Sequence, residues 1–233
     1  MPVGMEVYNS AGVPQVIDFS RNLVLRNRGT VTVGSNTSAT GTTGYVALTP
    51  STLDYLVFIS TNGGNAHIEK STNVGFSWFM AQGTTSFSWW AYSNSTSVSS
   101  AGMQVYNSDG SLRWDIGQRP LQFEGVITTA WSPPYAGEFT SSNILVNAAT
   151  YTVPTGMCYL MSDMGYLIDL YTGYPGYTIL PNMRHWPCIN NNGTTLRINY
   201  GRKYPDRGTL PSGMNYNTYT GKPPNFIFYT KQV

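Results

Sequence analysis

The chain has 233 residues, of which 41% are hydrophobic and 14% aromatic, so it carries enough apolar material for a sizeable core and lacks the composition of a disordered chain. Only 10% of residues are charged, for a formal net charge of +2, while Ser, Thr, Asn and Gly fill 92 positions, so the chain meets water with hydroxyls and amides. No run approaches the roughly 20 apolar residues of a membrane span, and Met1-Pro2-Val3-Gly4-Met5 shows no basic cluster or apolar run, so neither a membrane protein nor a secretory leader is expected.

Taken in chain order, Gly4 to Tyr8 and Val13-Pro14-Gln15-Val16 flank Asn9-Ser10-Ala11-Gly12 and read as a β-hairpin, with the strand of Pro14 expected to sit at a sheet edge or to start late because proline offers no N–H. Leu23-Val24-Leu25 follows as a strand. Gly34 to Gly44 is almost devoid of apolar side chains and is expected to be a surface loop or flexible excursion. Tyr45 to Leu48, Leu53 to Ser60, His67 to Lys70, Gly75 to Met80 and Ser86 to Tyr92 then alternate with turn residues at the spacing of a sandwich or barrel. In Phe87-Ser88-Trp89-Trp90 the period of two sends Phe87 and Trp89 to a core and leaves Trp90 on the other face as a candidate interface residue. Ser93 to Ser100 is the natural linker.

Beyond it, Met103 to Tyr106 and Ser111 to Asp115 flank Asn107-Ser108-Asp109-Gly110 as a second hairpin. Leu121 to Phe123, Asn143 to Val146, Tyr151 to Val153, Met157 to Met161, Leu167 to Leu170, Thr195 to Tyr200 and Phe226 to Tyr229 are the remaining strands, the last in the role of Ser86 to Tyr92. Tyr171 to Asn192 and Gly201 to Asn225, rich in Gly, Pro, Tyr and Asn, read as added loop material. No amphipathic segment of helical period stands out.

The chain also repeats itself. Gly4-Met5-Glu6-Val7-Tyr8-Asn9-Ser10-Ala11-Gly12 returns 98 residues later as Gly102-Met103-Gln104-Val105-Tyr106-Asn107-Ser108-Asp109-Gly110, and ten of the 27 positions from 4 to 30 recur identically, Arg21/Arg119, Leu23/Leu121 and Thr30/Thr128 among them. Such a repeat implies two tandem modules of one fold. The expected architecture is all-β: two tandem antiparallel β-sandwich-like domains, 1–98 and 99–233, the second elaborated by long Tyr/Gly/Asn-rich loops.

Little in the chain points to catalysis. His67 and His185 are the only histidines, so a multi-histidine metal site cannot be built, and neither metal nor cofactor is expected. No nucleophile elbow, phosphate loop or dinucleotide fingerprint is present. Four Glu and seven Asp leave the two carboxylates of a glycoside hydrolase available by count alone. Cys158 and Cys188 read as buried thiols, with a single bridge as the alternative. Asn-x-Ser/Thr sites begin at Asn36, Asn94 and Asn192 and would matter only in a secreted eukaryotic protein. Asp18 with Arg21 and Asp115 with Arg119 recur in both copies and read as turn-locking pairs, since a guanidinium fork suits a nearby carboxylate.

The C-terminal part carries an asymmetry. From residue 180 onward seven basic residues face the single acid Asp206, whereas 99–179 holds six acids and two bases. The candidate recognition or interface residues are Tyr174, Tyr177, His185, Trp186, Tyr200, Arg202, Lys203, Tyr204, Arg207, Tyr216 and Tyr219. Tyr gives large contact area at low entropy cost and Asn and Gly give adaptable hydrogen bonding, so these segments suit either an anionic or carbohydrate target or a neighbouring subunit. One short cluster, Gly201-Arg202-Lys203-Tyr204, with no accompanying motif is a poor basis for nucleic-acid binding.

The motif Gly-Met-x-Val-Tyr-Asn-x-x-Gly, followed by Asp18-Phe19-Ser20-Arg21 and an apolar run, resembles the opening of the small all-β tail-tip and tail-fibre-associated proteins of long-tailed bacteriophages. The resemblance covers the repeated stretch of each copy, and Asp115 and Arg119 stand one residue further apart than the pattern. It implies a non-enzymatic structural virion protein of the tail, assembled in the host cytoplasm and present as a homo-oligomer or in several copies. It would bind other tail proteins and also a host surface glycan or outer-membrane protein. A carbohydrate-binding receptor module and a capsule or lipopolysaccharide depolymerase are the alternatives.

Overall fold

The computed structural model describes residues 7–8, 14–16, 23–38, 41–51, 54–94, 104–106, 112–115, 121–128, 145–161, 167–172, 183–202, 215–220 and 226–232. β1 (Val7–Tyr8) pairs with β2 (Pro14–Val16), and β9 (Gln104–Tyr106) pairs with β10 (Leu112–Asp115), so the expected hairpin opens both copies of the repeat. The other strands are β3 (Leu23–Thr32), β4 (Thr42–Ala47), β5 (Leu56–Ser60), β6 (Ala66–Thr72), β7 (Gly75–Met80), β8 (Ser86–Asn94), β11 (Phe123–Thr128), β12 (Leu145–Thr152), β13 (Met157–Met161), β14 (Leu167–Thr172), β15 (Met183–Asn192), β16 (Thr195–Arg202), β17 (Asn215–Thr220) and β18 (Phe226–Lys231). No described residue is helical.

Apart from the two hairpins, the strands make two antiparallel sheets. One runs β11-β18-β13-β5-β8-β3. The other runs β12-β16-β15-β6-β7-β4, with β14 beside β15 and β17 beside β14. Each sheet reads the same outward from its middle: β5, β8, β3 on one side matches β13, β18, β11 on the other, and β6, β7, β4 matches β15, β16, β12. The match extends to irregularities. A bulge falls between Leu25 and Asn27 in β3 and between Phe123 and Gly125 in β11, again 98 residues apart. Bulges re-aim a strand and are placed rather than accidental.

The seam between the halves is an approximate two-fold. Ile59 of β5 pairs with Tyr159 of β13, and Ala66 of β6 pairs with Ile189 of β15. Following the registers out to Arg28 and Val126, which share a repeat position, makes Phe58 the counterpart of Leu160 and Val57 the counterpart of Tyr159. At the far edges of the first sheet the copies meet again: Leu121 N donates to Leu23 O at 2.7 Å, joining two residues of identical repeat position.

Alternation along the strands divides the core. Val57 and Ile59, Phe87, Trp89 and Ala91, Met157, Tyr159 and Met161, and Ile227 face the second sheet, where Ile68, Phe76, Trp78, Ile189, Leu196 and Ile198 meet them. The opposite face of the first sheet carries its own cluster of Phe58, Trp90, Tyr92, Leu121 and Cys158, with Leu23, Leu25, Phe123, Leu160 and Phe228 packed against it. Trp90 does lie on the face opposite Trp89, but it is 7% exposed and belongs to this second cluster rather than to an open interface. Edge strands keep glycine where an aromatic ring lies across: a Cβ on Gly44 would strike Trp78, and one on Gly125 would strike Tyr229.

Three further expectations change. Part of the Gly34 to Gly44 stretch is strand β4, and Asn36 within it is buried, donating to Met80 O, Ala81 O and Thr84 O and accepting from Thr42 Oγ1. Three buried carbonyls thus satisfied explain why a polar segment is pinned to the fold. Met183 to Asn192, expected as added loop, is the framework strand β15; its Pro187 stands between the residues that pair with β14 and the one that pairs with β6, where a missing N–H costs least. Ser93 and Asn94, placed in the linker from sequence, are the last two residues of β8, and Ser93 is buried.

Candidate recognition surface

The second half differs from the first by two insertions. β5 reaches β6 through a short turn and β7 reaches β8 likewise, whereas β14 lies between β13 and β15, and β17 between β16 and β18. The two inserted strands pair with each other from Leu167↔Thr220 to Thr172↔Asn215. β14 then pairs with the beginning of β15, Leu167 with His185 and Asp169 with Met183. β14 and β17 therefore make a ribbon that widens the second sheet beside β15.

Of the candidate recognition residues, the register gathers His185 beside Leu167 and Arg202, Tyr216 beside Tyr171, and Tyr219 beside Ile168. Trp186 sits at the base of the ribbon, half-buried, with its ring 5.0 Å from that of His67 at 42°. His67 itself is fully buried, next to a small cluster of Phe79, Ala81 and Cys188 on the outer face of the second sheet, against which Trp186 and Leu145 pack. Tyr200 must be removed from the recognition set: it is 1% exposed in the core between the sheets. Its phenol is pushed up by burial, and the neighbouring Cys188 adds to the shift. Tyr174, Tyr177, Lys203, Tyr204, Arg207, Asp18, Arg21 and Arg119 lie outside the described residues, and Asp115 is described only as the last residue of β10.

Burial holds both thiols protonated. Cys158 and Cys188 are both free and buried, one in each sheet, and burial pushes each well above the ordinary thiol range. Among the described residues no cluster of His, Cys, Asp and Glu is placed to hold a metal ion. No helix of the described residues is long and apolar enough to cross a membrane.

Two features escaped the sequence reading. One is an apolar groove of about 280 Å³ lined by Phe123, Gly125, Val126 and Phe228, with Val126 exposed. Laying the copies side by side signals it, because the first half has Arg28 where the second has Val126 and Ser88 where the second has the exposed Phe226. The other is a hydrogen-bonded network at the seam, in which Asn190, Asn191 and Asn199 reach the turn Thr61 to Asn65. An Asn run reads locally as a loop, and only the fold shows that it is buried.

No family model, curated protein or solved structure matches this chain.

Proposed function

We propose that this chain is a non-enzymatic structural component of a phage tail tip or tail fibre, acting in tail assembly and host attachment. In this reading it consists of two copies of one β-sandwich module, 1–98 and 99–233, and the second carries the recognition elements in its Tyr/Gly/Asn-rich insertions. One observation carries the proposal: both insertions fall in the same copy and pair as the β14–β17 ribbon, so one half keeps the plain framework while the other presents an added surface. Placing variation on a rigid sheet is how binding surfaces are commonly built. The opening motif of each copy, with its likeness to tail-tip proteins, supplies the setting; other tail proteins and a host surface glycan or outer-membrane protein are the partners, and the virion tail the location.

Purified protein should associate with tail proteins in co-purification and should compete with phage for adsorption to host cells. Failure in both assays would remove the reading. A glycan-binding alternative rests on Trp186, whose half-buried ring at the ribbon's base suits stacking on a sugar. It predicts saturable binding on a glycan panel that Trp186→Ala abolishes while the fold survives.

A further inference from the structure

The approximate two-fold is broken at one end of the seam. There the backbone N–H of Thr61 donates to Asn191 Oδ1 at 2.7 Å, Asn191 N donates to Thr61 Oγ1 at 3.1 Å, and Gly63 N donates to Asn191 O at 2.6 Å. Asn191 Nδ2 donates to Ser60 Oγ at 2.9 Å, and Gln232 Nε2 bonds the same oxygen at 3.0 Å and Met157 O at 2.8 Å. Beside them Asn190 Nδ2 donates to Gly63 O at 2.8 Å and Asn199 Nδ2 to Asn65 Oδ1 at 2.6 Å. Except for the bond from Gln232 to Met157, every one of these joins the first half to the second. Asn191 is 7% exposed, so its backbone and side-chain groups depend on these partners.

Among the described residues the dyad-related end shows no such network. Thr72↔Gly75 and Asn192↔Thr195 each close a two-residue turn, so aligning the β6–β7 and β15–β16 hairpins makes Ser71 the counterpart of Asn191 and Lys70 that of Asn190. Ser71 Oγ donates instead to Tyr55 O, within its own half. The counterpart of the short turn Thr61 to Asn65 is the longer insertion that carries β14.

We propose that the chain is a covalently fused heterodimer of two like subunits, and that the Asn190–Asn191 network makes the seam select a first half against a second half over either half against itself. The proposal rests on the two-module reading above but not on any role in a virion. Two first halves brought together in the same geometry would still offer Gly63 N a backbone carbonyl, but would set Thr61 N and Ser60 Oγ against the hydroxyl of Ser71, one short group that cannot stand in for the amide's separate acceptor and donor. Unmatched buried donors disfavour that pairing, whereas the shared core serves either. The linker is then needed to make two subunits one chain, not to hold them together.

A protease site inserted within residues 95–100 of the full chain, cut after folding, tests this. The two fragments should co-elute at the mass of the intact chain, and the midpoint of thermal unfolding should rise with protein concentration after cutting but not before. Unfolding the cut protein in urea and refolding it should return, by native mass spectrometry, almost only one-to-one pairs of unlike fragments. Asn191→Ser, which installs the counterpart residue, should lower the affinity of the cut halves by about tenfold and bring like pairs into view. Fragments that part on cutting would overturn the fused dimer. A statistical mixture in which about half the pairs are unlike, or an Asn191→Ser protein that pairs as selectively as its parent, would overturn the assigned source of selectivity. Adsorption and tail binding by the uncut Asn191→Ser protein report on the function separately.

Discussion

β3 and β11 hold the same place in the two copies, and they agree in what the backbone does while differing in what the surface offers. Both are edge strands of one sheet, both carry a bulge at the same repeat position, and both begin next to the other at Leu23 and Leu121. Yet Asn27 lies across from Ala91 in the first copy, and Gly125 lies across from Tyr229 in the second. The smaller member of the pair stands on the inner strand in the first copy and on the edge strand in the second, so both positions differ together. Toward the end of each strand, Thr30 Oγ1 and Ser88 Oγ lie 3.3 Å apart in the first copy, where the second has Thr128 and the exposed Phe226. Duplicated framework tolerates divergence where cross-strand pairs can change together.

The deepest pair gives the largest expected effect. Phe58 is fully buried, edge-to-face with Tyr92 at 5.6 Å, while its counterpart Leu160 is only partly buried. Phe58→Ala should cost about 3–5 kcal/mol and Leu160→Ala less, measured by urea denaturation, because a cavity forms beside rings that cannot collapse into it. Equal costs would mean that the second cluster is as well packed around one copy as around the other. At the edge, Gly125→Asn should cost about 1–3 kcal/mol by driving a side chain into Tyr229. Asn27→Gly should cost about 1 kcal/mol, chiefly the bond from Asn27 Nδ2 to Thr49 O. Adding Tyr229→Ala to Gly125→Asn should recover part of the loss if the pair is the unit that diverged.

Much of this comparison was legible in the chain itself. The hairpins, the strand from Gly75 to Met80 and the one from Met157 to Met161 follow from turn residues and apolar spacing, and the repeat at positions 4–30 points to a shared construction. What local reading could not reach is polar material that is buried. Asn36 and the Asn190-Asn191 pair look like loop residues until the groups to which their amides donate, 44 or more positions away, are known. Pro187 hid β15 for a related reason: a proline in a strand is tolerated only at particular places in a sheet, and those places are set by neighbours remote in sequence. Of the recognition residues, Tyr200 was misplaced because a tyrosine in a polar, basic stretch gives no sign that its strand crosses the core. His185 and Trp186 on β15 and Tyr216 and Tyr219 on β17 do come to the two strands that flank β14.

The buried phenols and thiols sharpen the contrast between core and surface through pH. Burial raises Tyr92, Tyr159, Tyr200, Cys158 and Cys188 above their ordinary values. A group held protonated in the fold but free to ionise in the unfolded chain favours unfolding once the pH passes its unfolded value. The contribution of these groups should therefore be constant below about pH 8 and fall from about pH 9 upward, first through the thiols and then through the phenols. Urea midpoints at a series of pH values would show it, and Cys158→Ala with Cys188→Ala would make the early part of the fall shallower. In the same range a thiol reagent should label neither cysteine until the chain unfolds.

The smallest expected change in stability falls on the surface, where the two copies differ most in chemistry. Val126 is 51% exposed beside the groove formed with Phe123 and Phe228, while Arg28 holds the equivalent place in the first half. Exchanging them one at a time, Val126→Arg and Arg28→Val, should each move stability by no more than about 0.5 kcal/mol, because neither side chain is enclosed. Their effect on the surface should be opposite in sign: Val126→Arg should reduce binding of an apolar dye and concentration-dependent association, and Arg28→Val should increase both. A loss of more than about 2 kcal/mol in Val126→Arg would mean that the groove is covered and belongs to the core. Edge strands that differ by a guanidinium would then owe their difference to packing, and the second copy would have gained interior rather than a surface.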